Sequence, residues 1–105
     1  MIQHIVLVSF KPSVSEPEAL GLLAEMKKLQ DTIPQIRSCT YGKNNSPEGL
    51  SQGFEYCFVM TFNNAEERAL YLEHPAHVAV AQEKVMPALE NGVKSAIIFD
   101  YDLPQ

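Results

Sequence analysis

Hydrophobic and polar residues repeat with two different periods along the chain, and these periods predict its strands and helices. Residues 2–10 form a short apolar run rich in β-branched side chains, which indicates a buried strand. Residues 54–62 alternate with a period of two, so large side chains share one face of a strand. Residues 36–43 and 93–101 are the other two predicted strands. The large residues on the shared face are Phe54, Tyr56, Phe58, Met60 and Phe62.

A helical period and two capping motifs predict the first two helices. Ser15 and Glu18 form a capping box ahead of an apolar stripe, and we expect this first helix to end near Thr32. Asn64 is a suitable N-cap for a short second helix over residues 65–72. The long stretch between the second and third strands is dense in turn-forming residues and is predicted to be a loop.

Residues 71–77, with the sequence Tyr-Leu-Glu-His-Pro-Ala-His, join the second helix to the third. Proline lacks an amide hydrogen and disfavours helical backbone in the preceding residue, so we expect a break at His74 and Pro75. His74 is expected to satisfy the exposed carbonyl groups at this helix end. The third helix is predicted to run from residue 76 to about residue 91, with a further bend at Met86 and Pro87, and to close on Gly92.

The order of these elements predicts the fold. This order is strand, helix, strand, strand, helix pair and strand. It corresponds to the ferredoxin-like β-α-β-β-α-β fold of the α+β class, with an antiparallel four-stranded sheet and helices on one face. The 105 residues are expected to form a single domain, residues 1–105. Because the strands are apolar on both faces, we expect a homodimer through the uncovered sheet face, a dimeric α+β barrel, with a ligand site between the two sheets.

Composition limits the possible partners. A formal charge of -5 and a pI near 5.0 argue against binding to nucleic acids or to anionic membrane surfaces. Neither a membrane span nor the features of a signal peptide are evident, so the expected location is the cytoplasm. Cys39 and Cys57 are expected to be buried free thiols in strands, since two cysteines make neither a zinc motif nor a disulfide framework.

The candidate catalytic residues are His4 in the first strand and Tyr71 and His77 beside the helix break. Removing a proton next to a carbonyl group requires a base and a donor that stabilises the developing oxyanion. Imidazole suits the base near neutral pH, so His77 is the candidate base, Tyr71 the donor and His4 a residue that orients His77 or the substrate. No cofactor is required, and no carboxylate lies at convincing metal-ligand spacing from the histidines, so no metal is expected.

Each of these residues also has a purely structural interpretation. Tyr71 can be a core ring whose hydroxyl reaches solvent or the backbone, His77 can pack or cap without catalysis, and a buried His4 needs a hydrogen-bond partner in either case. Three function classes therefore stay open. They are a ligand-binding barrel without turnover, a cofactor-free lyase, cyclase or isomerase, and a monooxygenase or haem protein, the last by fold analogy alone.

Four segments of the chain together resemble the stress-responsive A/B barrel family. They are residues 1–12, residues 42–54, residues 71–77 and residues 97–101. The resemblance covers nearly the whole chain, and its most specific part is the His-Pro-x-His element combined with a histidine in the first strand. It implies a dimeric α+β barrel of ferredoxin-like protomers. For most members it implies a stress-associated role without an assigned reaction, while a plant member closes a polyketide chain by aldol condensation.

The resemblance also implies roles for individual residues. The catalytic tyrosine and histidine of the plant cyclase correspond to Tyr71 and His77, and its strand histidine corresponds to His4. Met26 occupies the position of a pocket tyrosine, and the chain has no tryptophan to match a pocket tryptophan near the end of the third helix. A pocket different from that of the cyclase is therefore expected. The expected ligand contacts are Val6, Val8, Met26 and Phe58.

Overall fold

The computed structural model describes residues 1–104, which contain one sheet of four antiparallel strands in the order β2-β3-β1-β4. Helices cover one face of this sheet, so the predicted ferredoxin-like fold is confirmed. The strands are β1 (Ile2–Val8), β2 (Ser38–Lys43), β3 (Tyr56–Phe62) and β4 (Ala96–Asp102). The α-helices are α1 (Glu16–Lys28), α2 (Ala65–Glu73) and α3 (Pro75–Val80).

Helix α1 begins at the predicted capping box. The Ser15 hydroxyl accepts a hydrogen bond from the Glu18 amide, and the Glu18 carboxylate accepts one from the Ser15 amide, both at 3.2 Å. Two backbone donors that lack helical partners are thereby satisfied. A 3₁₀ turn over Leu29–Asp31 follows α1 directly, so the helical region ends where the sequence predicted.

The break between α2 and α3 lies at His74, but the role predicted for this side chain was wrong. Asn64 caps α2 by accepting from the Glu67 amide at 2.9 Å, and α2 ends at Glu73. His74 has extended backbone because a proline follows it, and this geometry makes it the N-cap residue of α3. Its Nδ1 accepts from the Ala76 amide at 3.1 Å, so it satisfies an amide and not a carbonyl.

The third helical region has the predicted bend at Met86 and Pro87, but it is otherwise less regular than its sequence pattern predicted. Helix α3 gives way to a π turn over Ala81–Val85 and then to a 3₁₀ turn over Met86–Ala88. The proline within this last turn lacks an amide hydrogen, and the residue after the turn, Leu89, has extended backbone. Gly92 therefore does not close a helix. It has a positive φ of 59° and begins a separate 3₁₀ turn over Gly92–Ser95.

The two faces of the sheet have different environments. On β1, His4, Val6 and Val8 are buried against the helices, whereas Ile5 and Leu7 on the opposite face are only partly buried. The prediction that β1 is buried on both faces is therefore confirmed for the helix side and wrong for the opposite face of the single chain, which is only partly buried. The largest fully buried side chains are Tyr71, Phe62, Leu23, Ile33, Met60 and Val8.

The uncovered face, which we call the outer face, carries a continuous apolar surface. Ile5 of β1 lies opposite Val59 of β3 and Phe99 of β4, and Leu7 lies opposite Ile97. Phe99 is 62% exposed and Ile97 is 43% exposed. The predicted apolar character of both sheet faces is thus present in the structure.

Both cysteines are free thiols in strands, but they differ in burial. Cys39 is buried, and burial raises its pKa to about 11. Cys57 is only partly buried because it lies on the outer face, so the prediction of burial is wrong for it in the single chain. Over residues 1–104, no helix is both long and apolar enough to cross a membrane.

Candidate functional site

A cavity of about 140 Å³ lies between the sheet and the helices of one chain. The sequence led us to expect a ligand site between the sheets of two chains. The observed cavity lies within one chain instead, so this prediction is wrong for it. Alternation along β1 places its histidine on one face, but only the tertiary structure shows that the helices cover that face. All seven predicted site residues line the cavity: His4, Val6, Val8, Met26, Phe58, Tyr71 and His77.

The cavity has an almost entirely apolar lining. Among the described residues that line it, none is Lys, Arg, Asp or Glu, and the polar side chains are His4, Tyr71 and His77. Leu72 and Ile98 also line it while being 43% and 64% exposed, so they mark its mouth. The part of the chain that the structure describes contains no group of three or more His, Cys, Asp or Glu residues that could hold a metal ion.

Tyr71 is the most unusual of these residues. Its side chain is fully buried, and its hydroxyl has no hydrogen-bond partner among residues 1–104. Its ring packs 4.2 Å from the His77 ring and 5.9 Å from the His4 ring, measured between centroids. Burial raises the pKa of Tyr71 well above its ordinary value. The hydroxyl is therefore a protonated donor without a partner among the described residues, and it belongs to a ring that packs against two imidazoles.

His77 is held as a neutral imidazole by its surroundings. Its Nδ1 donates to the Leu72 carbonyl oxygen at 3.1 Å, because a carbonyl can only accept. Nε2 is therefore left with a lone pair in the neutral ring. Burial lowers the pKa of His77, the hydrogen bond to Leu72 opposes this effect, and the nearby His4 and His74 lower the pKa further.

His4 belongs to a polar chain that the sequence did not predict. Its Nδ1 donates to a carboxylate oxygen of Asp100 at 2.7 Å, and the other oxygen of Asp100 accepts from Arg68 at 3.1 Å. The expected partner of the buried histidine is thus Asp100, and the bond leaves His4 Nε2 with a lone pair in the neutral ring. Asp100 lies opposite His4 in the β1–β4 register, so an exact strand pairing could have identified it.

Replacing Tyr71 by phenylalanine is expected to raise the free energy of unfolding by about 1 kcal/mol. A buried hydroxyl without a partner loses its hydrogen bonds to water on folding, and phenylalanine avoids this cost. Urea denaturation of the two proteins measures the difference. Tyr41→Phe removes a hydroxyl from an exposed tyrosine and should leave stability unchanged. A loss of stability in Tyr71→Phe would show that the hydroxyl has a stabilising partner.

The lowered pKa of His77 makes the folded protein less stable in mild acid. Below its ordinary pKa of 6.5, the unfolded chain takes up a proton at His77 before the folded protein does. The free energy of unfolding is therefore expected to fall as the pH is lowered through this range, and the stability associated with neutral His77 is present above it. Urea denaturation at about pH 8 and about pH 5 tests this, and His77→Gln should reduce the difference. If the free energy of unfolding of His77→Gln changed with pH as much as that of the unmodified protein, other titratable groups would be responsible for the pH dependence.

The fold and the cavity define the class of this protein: a ferredoxin-like α+β chain with one tyrosine and two histidines facing a small apolar cavity. The family is also clear, because the model of the stress responsive A/B barrel domain matches residues 2–103. The chain belongs to this family. The stress-response A/B barrel domain-containing protein HS1 of Arabidopsis thaliana is 36% identical over 80 residues, 76% of this chain and 73% of that protein.

Other relatives extend the comparison to enzymes and to solved structures. Olivetolic acid cyclase of Cannabis sativa is 23% identical over 100 residues, which cover 95% of this chain and 94% of that protein. The crystal structure of At3g17210 from Arabidopsis thaliana has a TM-score of 0.88 and 30% identity, covering 100% of this chain and 97% of that one.

Two further solved structures share the fold. Hydroxynitrile lyase from Passiflora edulis has a TM-score of 0.84 and 22% identity, over 99% of this chain and 94% of that one. A dimeric ferredoxin-like protein of unknown function from Bacteroides fragilis has a TM-score of 0.72 and 25% identity, over 97% of this chain and 95% of that one. Olivetolic acid cyclase is thus a distant relative of this chain, and the hydroxynitrile lyase shares its fold.

Proposed function

We propose that the cavity binds a small carbonyl compound and that His77 and Tyr71 carry out proton transfer on it without a cofactor. One observation carries the proposal: Tyr71, whose buried hydroxyl has no hydrogen-bond partner among residues 1–104, lines the same cavity as two imidazoles. Buried polar groups are almost always hydrogen-bonded, so an unpaired donor in a cavity is suited to a ligand. A carbonyl oxygen is a matching acceptor.

The base in this proposal is His77. The Leu72 carbonyl fixes its neutral tautomer, and the lowered pKa keeps Nε2 unprotonated near neutral pH. A neutral imidazole in this state can remove the proton from the carbon next to a bound carbonyl group. Its half-buried position at the side of the cavity allows it to return that proton to substrate or to solvent.

The oxyanion donor is Tyr71. Removal of the proton moves negative charge onto the carbonyl oxygen, and a fixed hydroxyl donor lowers the energy of that state. The raised pKa of Tyr71 means that the hydroxyl keeps its proton at neutral pH and can donate it in a hydrogen bond. The similarity to olivetolic acid cyclase supports the assignment of Tyr71 as the donor, because ring closure in a polyketide begins with the same kind of proton removal.

Proton exchange tests the proposal without knowledge of the natural substrate. Methyl isobutyl ketone in D₂O should lose its α-proton NMR signals about a hundredfold faster with the protein than with an equal concentration of free imidazole. Binding of the ketone without faster exchange would favour a ligand-binding barrel without turnover. Absence of binding would overturn both parts of the proposal.

We also propose that the chain forms a homodimer through its outer face. The exposed apolar side chains of Ile97 and Phe99 on β4 lie there beside partly buried apolar side chains of β1 and β3, and such patches mark interaction surfaces. A chain of this size gains additional buried area from a partner. The dimeric Bacteroides fragilis protein of the same fold supports this assembly.

A further inference from the structure

The chemistry of the cavity restricts its ligand beyond the presence of a carbonyl group. This inference rests on the proposed function and concerns the same cavity. A lining without Lys or Arg among the described residues provides no permanent positive charge for an anionic ligand, and burial of an unpaired carboxylate is costly. The ligand must therefore enter in a neutral form.

The volume of the cavity sets the size of the enclosed part. An apolar cavity of about 150 Å³ accommodates a molecule of the size of benzene. The cavity measures about 140 Å³, so it encloses about six to eight non-hydrogen atoms. The apolar part of a longer ligand would extend out of the cavity through the mouth beside Leu72 and Ile98, whose exposed side chains can contact it.

The hydrogen-bonding groups in the cavity specify a pattern of donors and acceptors. Tyr71 offers an O–H donor, which matches a carbonyl oxygen. His4 and His77 each use Nδ1 as a donor to another protein group, so in the neutral rings their Nε2 atoms are acceptors. If Nε2 of His77 faces an acidic C–H bond of the ligand, Nε2 of His4 remains available to accept a hydrogen bond from a hydroxyl group of the ligand.

We propose that the ligand is a neutral β-hydroxy carbonyl compound. In such a compound the acidic carbon lies between the carbonyl carbon and the hydroxyl-bearing carbon, so three adjacent groups meet three adjacent side chains. The carbonyl oxygen accepts from Tyr71, the C–H bond faces His77 and the hydroxyl donates to His4. Asp100 and Arg68 act through His4, because their hydrogen bonds orient its ring and place the proton of the neutral ring on Nδ1, away from the ligand.

Three probes of nearly equal size test this pattern by NMR titration of the full chain. Diacetone alcohol carries the carbonyl and the hydroxyl, methyl isobutyl ketone lacks the hydroxyl, and β-hydroxyisovalerate replaces the ketone by a carboxylate. Diacetone alcohol should bind about tenfold more tightly than the ketone, as expected for one additional hydrogen bond. The carboxylate should bind at least about a hundredfold more weakly than diacetone alcohol.

A variant assigns the preference to one side chain. His4→Phe keeps an aromatic ring near Phe58, Phe62 and Tyr71 and leaves Asp100 paired with Arg68. It should bind both neutral probes equally while still binding the ketone. Gln3→Ala, on the opposite face of the same strand, should keep the tenfold preference.

The possible results separate this inference from the proposed function. Equal binding of the two neutral probes by the unmodified protein would overturn the β-hydroxy assignment, while ketone exchange would still support the proposed function. If β-hydroxyisovalerate bound more tightly than both neutral probes, the inference that the ligand is neutral would be wrong. If His4→Phe failed to fold, the comparison of the three probes on the unmodified protein would still decide.

Discussion

The His77→Ala protein is expected to exchange the α-protons of methyl isobutyl ketone about a hundredfold to ten-thousandfold more slowly than the unmodified protein. This range is typical of the removal of a general base. Alanine cannot accept the proton, and the hydrogen bond from Nδ1 to the Leu72 carbonyl is lost with the ring. The decrease should appear in the exchange rate at saturating ketone, measured by NMR in D₂O. Ketone affinity should change much less, because Tyr71 still offers its hydroxyl.

A matched control lies three residues earlier on the same segment. His74→Asn removes an imidazole but keeps a side chain that can cap α3, so the helix break should be preserved. Its exchange rate should equal that of the unmodified protein. If His77→Ala retained full exchange and His4→Phe lost it, the base would be His4 and the proposed assignment would be wrong.

The Phe99→Asp protein is expected to be a monomer at concentrations where the unmodified protein is a dimer. Phe99 is 62% exposed on the outer face, so the substitution should not disturb the single chain. In a dimer closed through this face, the new carboxylate would be buried without a partner at a cost of several kcal/mol. The dissociation constant of the dimer should therefore rise about a thousandfold. Sedimentation equilibrium or light scattering after size-exclusion chromatography measures the change.

The control for this experiment is an apolar residue of similar exposure on the helix layer. Leu70 is 54% exposed on α2, and Leu70→Asp should leave the dimer intact. Dissociation by this variant but not by Phe99→Asp would place the interface on the helices. Because the cavity of one chain contains His4, Tyr71 and His77, monomeric Phe99→Asp should still exchange ketone protons. Loss of exchange on dissociation would show that the partner chain contributes to the site.

The candidate site was largely accessible to sequence reasoning because its side chains belong to local patterns. Pro75 forces a break after α2, which places Tyr71 and His77 near one junction, and strand alternation places His4 on one face of β1. The capping residues likewise located the starts of α1 and α2. Their catalytic roles remain predictions.

Other features of the site depended on residues that are distant in the chain. Asp100 and Arg68 meet His4 only because β4 pairs with β1 and α2 packs nearby, and no local pattern indicates that meeting. The bend at Met86 and Pro87 was predicted, but the π turn before it was missed for a different reason. The apolar spacing of this region is helical, whereas π and 3₁₀ geometry replaces regular helix after Val80.

The order of the strands and helices follows from the sequence alone, because periodicity, capping and proline effects act between residues close in the chain. The apolar character of both sheet faces follows from the sequence as well. The packing of the helices against the face that carries His4, Val6 and Val8 is known from the three-dimensional fold only, and this packing places the cavity within one chain. Alternation assigns side chains to two faces but does not identify the layer that covers each face, since that depends on how the connections pack.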